Sequence, residues 1–371
     1  MNEIQEILRK ISKFAPDEKA ILATVVDVVG SGYRRAGARM LIDENGFSIG
    51  TVSGGCLEAD VLERAKKVLR TDAPTVITYD TSADENSVFG LGMGCRGVIR
   101  VLLEAVARES SIFNSFKRAI ERREREVVAT LISAGANQSS GGRVFYSGAD
   151  KFDFVDLPES IKNSAQLKND CRRIFDGARK SAVEIYESEC GAVEFLIEAI
   201  NPPLSMLLFG AGFDALPVVR FAKELGWRVT VVDHRAAFAN SERLPQADQI
   251  FAARVEDLPE ELFADENSAA VIMTHNYNRD LSVLFRLLNS NCRYIGALGP
   301  KTRTENLVAE LRAAGRIFDE KNLEKLHTPI GLDIGSETPA EIALAVVAEI
   351  KSVISNRSGG LLRDRNSLIN D

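Results

Sequence analysis

Ser53-Gly54-Gly55-Cys56-Leu57-Glu58 sets a thiol directly after two glycines, in the expected first turn of a helix with the apolar repeat Leu57, Val61, Leu62, Ala65 and Leu69. Unpaired backbone N–H groups at a helix start favour a thiolate and bring a thiol from ~8.5 toward neutrality. The chemistry implied is that of a nucleophilic or metal-binding sulfur. Glu58 opposes it, because a nearby carboxylate disfavours a second negative charge. A second thiol, Cys95, sits in Gly92-Met93-Gly94-Cys95-Arg96-Gly97, where glycines expose donors and Arg96 adds positive charge. Packing as small apolar fillers is the alternative for both. Cys171, Cys190 and Cys292 stand in helix or strand contexts and are expected in the core. The loop Gly30-Ser31-Gly32-Tyr33-Arg34-Arg35-Ala36-Gly37 brings two arginines suited to bidentate contact with phosphate or carboxylate, or to surface salt bridges.

A different chemistry is written further along. Gly210-Ala211-Gly212-Phe213-Asp214-Ala215 follows an apolar strand and opens a helix, in the pattern G-x-G-x-x-G/A, and Asp233 ends the next strand. Glycines of this kind let backbone N–H groups approach a pyrophosphate at the positive end of the helix, and the acid meets a ribose hydroxyl. The alternative is that they serve only tight helix–strand packing. His275 ends the strand AAVIMTH at the sheet edge where open α/β folds bind ligands. Gly296, Gly299, Lys301 and Arg303 follow another strand end, as an anion site or a solvated face.

These residues need elements to position them. Residues 2–14 read as an amphipathic helix, 20–29 as a buried strand, and Asn45-Gly46 as a hairpin turn, followed by a helix from Leu57 and the strands TVITYD and VIRVLLEAV. From 112 to 200 the signal weakens to helices near 112–123 and 166–181 and the strands EVVATLISA and VEFLIEAI. Asn201-Pro202-Pro203 reads as a linker, because consecutive prolines deny the backbone helix and ladder bonding. Strands and helices then alternate, ending with a helix near 338–355, which predicts a parallel, doubly wound sheet. No internal repeat is visible. The expected organisation is a mixed α/β domain over 1–200, a Rossmann-like domain over 201–357, and a disordered tail over 358–371.

With 371 residues, 45% of them hydrophobic, the chain exceeds one ordinary core. A net charge of -7 and a pI near 5.4 argue against nucleic acid as the main partner. No apolar run approaches the ~18–20 residues that span a bilayer, and the acidic N-terminal helix is unlike a secretory signal. Five cysteines without a CxxC pair suggest neither a disulfide framework nor a zinc ribbon. A cytoplasmic protein with reduced thiols is expected.

At this point the chain resembles a known family. GSGYRRAGARML, GTVSGGCLEADV and GLGMGCRGVIRVLLE look like the N-terminal XdhC/CoxI domain of the XdhC/CoxF type of xanthine dehydrogenase accessory protein. FGAGFDALPVVRFAKELGWRVTVVD, THNYNRDL, YIGALGPKTR and HTPIGLDIGSETPAEIALAVVAEI look like its Rossmann-like C-terminal domain. The resemblance covers about 20–107 and 205–355. It implies a homodimeric chaperone that binds molybdenum cofactor, assists its sulfuration by a cysteine desulfurase, and delivers it to an apo molybdenum hydroxylase. Cys56 then becomes the thiol for the cofactor's molybdenum, with Cys95 second, beside Gly54, Gly55, Arg34 and Arg35; Gly210, Gly212, Asp233 and His275 become the contacts of the C-terminal domain. The family often has histidine where Phe213 stands and an Asp-His pair where Asn276-Tyr277 stands, and Ala215 replaces its usual final glycine. The rival readings are an NAD(P)-dependent oxidoreductase and a nucleotide-binding adaptor without chemistry.

Overall fold

The computed structural model describes residues 2–30, 33–80, 97–133, 140–177, 181–188, 191–263 and 265–365, so Cys95, Arg96 and Cys190 lie outside the described residues. The chain divides into two compact units between Pro202 and Pro203.

The first unit opens with α1 (Asn2–Ile11), β1 (Lys19–Gly30), β2 (Arg39–Ile42), β3 (Ser48–Gly50), α2 (Glu58–Thr71), β4 (Thr75–Asp80) and β5 (Gly97–Ala107). After α3 (Ser111–Lys117) come β6 (Glu126–Ser133), β7 (Arg143–Tyr146), β8 (Phe152–Val155), α4 (Glu159–Lys162), α5 (Ala165–Phe175), β9 (Ser181–Ser188) and β10 (Gly191–Ile200). The strands form two antiparallel five-stranded sheets, ordered β3-β2-β1-β5-β4 and β8-β7-β6-β10-β9.

The two orders are the same order. No repeat is visible in the sequence, yet this unit is built twice, down to individual bonds. Thr24 stands opposite Arg39 as Thr130 stands opposite Arg143. Gly37 N–H donates to Val25 O at 2.8 Å, and Gly141 N–H to Leu131 O at 2.9 Å. The Tyr79 hydroxyl of β4 donates to Asp60 of α2 at 2.7 Å, and the Tyr186 hydroxyl of β9 to Asp170 of α5 at 2.9 Å. The halves also exchange partners: buried Arg39 pairs with Glu198 of the second half, and buried Arg143 with Glu104 of the first. A buried charge is tolerated only when paired and hydrogen-bonded, so each half supplies the counter-ion that the other needs. The segment 112–200, where the sequence signal is weakest, is thus the second copy; β7, β8 and β9 went unread, and residue 181, expected to end a helix, begins β9.

The second unit alternates β11 (Ser205–Phe209), α6 (Ala215–Glu224), β12 (Arg228–Val232), β13 (Gln249–Phe251), β14 (Ser268–Ile272), α7 (Tyr277–Leu288), β15 (Tyr294–Ala297), α8 (Lys301–Ala313), β16 (Leu326–His327) and α9 (Pro339–Ile354). All pairs are parallel in the order β13-β12-β11-β14-β15-β16. Successive side chains of a strand face opposite ways. Met206 and Leu208 therefore pack with α6 and α9, while Leu207 and Phe209 pack with α7 and α8. Helix α9, whose sequence has the cap-like start Glu337-Thr338-Pro339, begins with a capping box between Thr338 and Glu341 and has Pro339 in its first turn. The fold is mixed α/β, with a doubly wound Rossmann sheet in the second unit. Of the expected disordered tail, Leu362–Asp364 forms a 3-10 turn, and residues 366–371 lie outside the described residues. Among the described residues no helix is long and apolar enough to cross a membrane.

Candidate functional site

Each unit carries one candidate, and each departs from its sequence reading in the same way: a side chain of the protein occupies the place foreseen for a ligand. In the first unit the loop between β3 and α2 holds Gly54 (φ +106°) and Gly55 (φ +120°) in the left-handed region that glycine accepts without strain. A Cβ at Gly54 would lie 2.7 Å from the Tyr33 ring, so glycine there also admits Tyr33. Cys56 is exposed on this loop, ahead of the helix, which begins at Glu58 with Leu57 as its N-cap.

The free N–H groups expected to support a Cys56 thiolate belong instead to Glu58. Its Oε1 accepts from the N–H groups of Val52 (3.2 Å), Ser53 (2.9 Å) and Gly54 (3.2 Å), and from the Thr51 hydroxyl. Its Oε2 accepts from the N–H groups of Gly55 (2.8 Å) and Leu57 (3.2 Å), and from the Ser53 hydroxyl. Such a ring of donors is an anion nest. Burial pushes the Glu58 carboxyl upward, but the bonds from Ser53, Thr51 and Gly54 outweigh it and hold it at about 2. The loop is therefore a rigid platform built around an internal carboxylate, with Cys56 standing outward on it.

The neighbouring arginines divide. Arg34 is in an ion pair with Glu3 of α1, and Arg35 is exposed. Cys171 and Cys292 are fully buried, and burial pushes the Cys171 thiol up to about 12 and raises that of Cys292. Among the cysteines described, Cys56 is the one that solvent reaches.

In the second unit Gly210, Gly212, Asp233 and His275 gather at the C-terminal ends of β11, β12 and β14, where the strand order reverses and ligands of such sheets bind. Gly210 (φ +114°) is required by packing, since a Cβ would sit 2.3 Å from Met273 O. At Gly212 a Cβ would lie 2.6 Å from Asp214 Oδ1.

Asp233 does not offer an acceptor to a ribose. Its Oδ1 takes the N–H (2.9 Å) and Nε–H (2.9 Å) of Arg235, and its Oδ2 takes the N–H of Ala211 (2.9 Å) and an Nη2–H of Arg235 (2.6 Å). Four donors fill the four lone-pair sites of a carboxylate. Burial would raise this carboxyl, yet the bonds from Arg235 and Ala211 hold it at about 2. His275 adopts φ +56° and sets Nε2 2.7 Å from Oδ2 of Asp214, the residue before α6. A carboxylate therefore stands at the glycine loop, where a pyrophosphate was expected. Arg303 is held by buried Asp280 at 2.7 Å, and Gly296 leaves room for Ile330; only Lys301 of that foreseen group is strongly exposed.

The sequence reading passed over a cleft of about 240 Å³ beside Asp233. His234, Arg235, Arg254 and Arg279 line it. These residues follow β12, follow β13 and stand in the first turn of α7, a scatter of some 45 positions that no local motif joins.

Residues 206–350 match the XdhC Rossmann domain, and residues 14–80 match the XdhC and CoxI family. A probable xanthine dehydrogenase subunit of Bacillus subtilis is 33% identical over 337 residues, 90% of this chain and 92% of its own length. The molybdenum cofactor insertion chaperone PaoD of Escherichia coli is 22% identical over 351 residues, 93% of this chain and 88% of its own. A crystal structure described as a xanthine dehydrogenase from Bacillus halodurans superposes with a TM-score of 0.76 at 27% identity, covering 99% of this chain and 98% of that one.

Proposed function

This chain belongs to the XdhC and CoxI family, and on that premise we propose that it binds molybdenum cofactor, assists its sulfuration and inserts it into a molybdenum hydroxylase of the xanthine dehydrogenase type. The observation that carries this reading is the likeness to a molybdenum cofactor insertion chaperone along nearly the whole of both chains. Cys56 supports it, because the cofactor holds its metal through sulfur and an outward thiol on a rigid loop suits such cargo.

In this reading the first unit handles the cofactor. Cys56 contacts the metal or its terminal sulfur, Gly54 and Gly55 let the cargo approach the backbone, Arg35 faces its phosphate, and Cys95 assists. Arg34 belongs to the scaffold through Glu3. The second unit, from Pro203 on, holds a nucleotide-like group near Gly212 and His275. A cysteine desulfurase supplies the sulfur, the apo-hydroxylase receives the cargo, and the working form is a cytoplasmic homodimer.

Reconstitution of an apo-hydroxylase with the parent protein and with Cys56→Ala at matched concentration tests the cysteine role. Removing one sulfur from an exposed loop should change stability by no more than about 1 kcal/mol. Cofactor binding should fall more than about tenfold, equivalent to ~1.4 kcal/mol. Normal reconstitution by Cys56→Ala removes the thiol from the mechanism; lost activity with a collapsed melt makes Cys56 a packing residue.

A further inference from the structure

We infer that the cleft at the ends of β12, β13 and β14 is an anion site for a phosphomonoester, held by Arg254 and Arg279, and that the glycine loop is not where the ligand's charge rests. This rests on the reading of the second unit as a binder of a nucleotide-like group, and adds which end of that group is recognised.

Three observations meet here. First, the acid that would receive ribose hydroxyls is saturated by four internal donors, so an unphosphorylated ribose finds no acceptor on it. Where an arginine follows such a strand in a Rossmann fold, it accommodates a phosphate on the ribose. Second, Arg254 and Arg279 line the cleft and are exposed, and neither guanidinium group has a hydrogen-bonded or ion-paired partner among the described residues. Against these two guanidinium groups stands one further carboxylate, Glu256. Arginine in this arrangement favours a planar, bidentate acceptor such as phosphate. His234, which lines the same cleft, sets Nδ1 3.1 Å from Oδ1 of Asp233, and burial and then the charges of Arg279, Arg235 and Arg254 push its imidazole below the ordinary value against the pull of Asp233. Third, Asp214 stands at the N-terminus of α6, where its carboxylate repels the phosphate that the glycine loop would otherwise attract.

The chemistry is shared by a nucleotide with a phosphate on its ribose and by the phosphate-bearing side chain of a pterin cofactor. The full-length protein is titrated calorimetrically with 2′,5′-ADP, adenosine and inorganic phosphate. We expect 2′,5′-ADP to bind at least tenfold more tightly than adenosine and inorganic phosphate to compete with it. Arg254→Gln/Arg279→Gln should abolish that advantage with an unchanged melt, because neither side chain is packed; if the double variant melts early, the single variants decide. Equal binding of 2′,5′-ADP and adenosine, or an advantage that survives both substitutions, overturns the inference. Protein isolated from a host that makes molybdopterin distinguishes the sources: loss of bound pterin in the arginine variant identifies the pterin phosphate, and retention beside a lost 2′,5′-ADP preference identifies a nucleotide. None of these titrations requires Cys56 or a client enzyme, so they fail or succeed independently of the chaperone reading.

Discussion

A carboxylate enclosed by its own loop changes what a neighbouring thiol can be. Glu58 was legible only as an opponent of Cys56; the structure makes it the centre around which the Cys56 loop is wrapped. Its folded value near 2 lies below the ordinary 4.5, so its contribution to stability is fully present above about 4.5 and is lost as the pH falls toward about 2. A side-chain carboxyl NMR titration should place the Glu58 midpoint near 2. Glu58→Gln leaves several N–H groups short of an acceptor and should cost about 1–3 kcal/mol in chemical denaturation. In the parent, iodoacetamide should label Cys56 well before buried Cys171 and Cys292. A Glu58 midpoint above 4, or a Cys56 no more reactive than Cys171, contradicts this account of the loop.

At the scale of elements, the reciprocal ion pairs tie β2 to β10 and β7 to β5. Arg39 also donates to Gly37 O at 2.8 Å and lies 4.8 Å from the centre of the Phe116 ring, so it cannot leave for solvent without dismantling its surroundings. Glu198→Gln should therefore cost about 3–5 kcal/mol, because it leaves a buried guanidinium without its counter-charge. Glu104→Gln should cost a similar amount, as its structural equivalent. Arg39→Met/Glu198→Met should recover much of the loss, since removing both charges removes the desolvation penalty as well. Urea unfolding of the four proteins measures this. A loss below 1 kcal/mol for Glu198→Gln would mean that water screens the pair.

For the whole molecule, the duplication bears on where the chain can be cut. Severing it between Pro202 and Pro203 should yield two fragments that each melt cooperatively, because each side keeps its own buried clusters. Severing it after Ala107 should not, although that point also lies between two complete sheets. The cut would strip Arg39 of Glu198 and Glu104 of Arg143, and would open the cluster in which Leu22 and Phe113 pack with Val128 and Ile200. Circular dichroism melts of 3–202, 203–365 and 3–107 test the contrast. A cooperative melt of 3–107 alone would make the duplication one of independent domains. The chemistry-bearing loop is not duplicated: where the first half has Ser53-Gly54-Gly55-Cys56, the chain between β8 and α5 runs Asp156-Leu157-Pro158-Glu159.

The sequence by itself determined what is periodic or local. The alternation of strand and helix beyond Pro203 specifies a parallel sheet, Glu337-Thr338-Pro339 announces α9, and the paired glycines mark the loop that exposes Cys56. The tertiary structure alone decided who partners whom. Glu58 filling its own nest, Arg235 enclosing Asp233, Asp214 meeting His275 across 61 positions, and Arg39 reaching Glu198 across 159 all depend on three-dimensional closure. The repeat stayed hidden for the same reason: it survives as a handful of polar residues whose spacing differs between the halves, Asp60 to Tyr79 being 19 positions and Asp170 to Tyr186 being 16. Buried charge must be matched in space, and distance along the chain does not constrain where the match comes from.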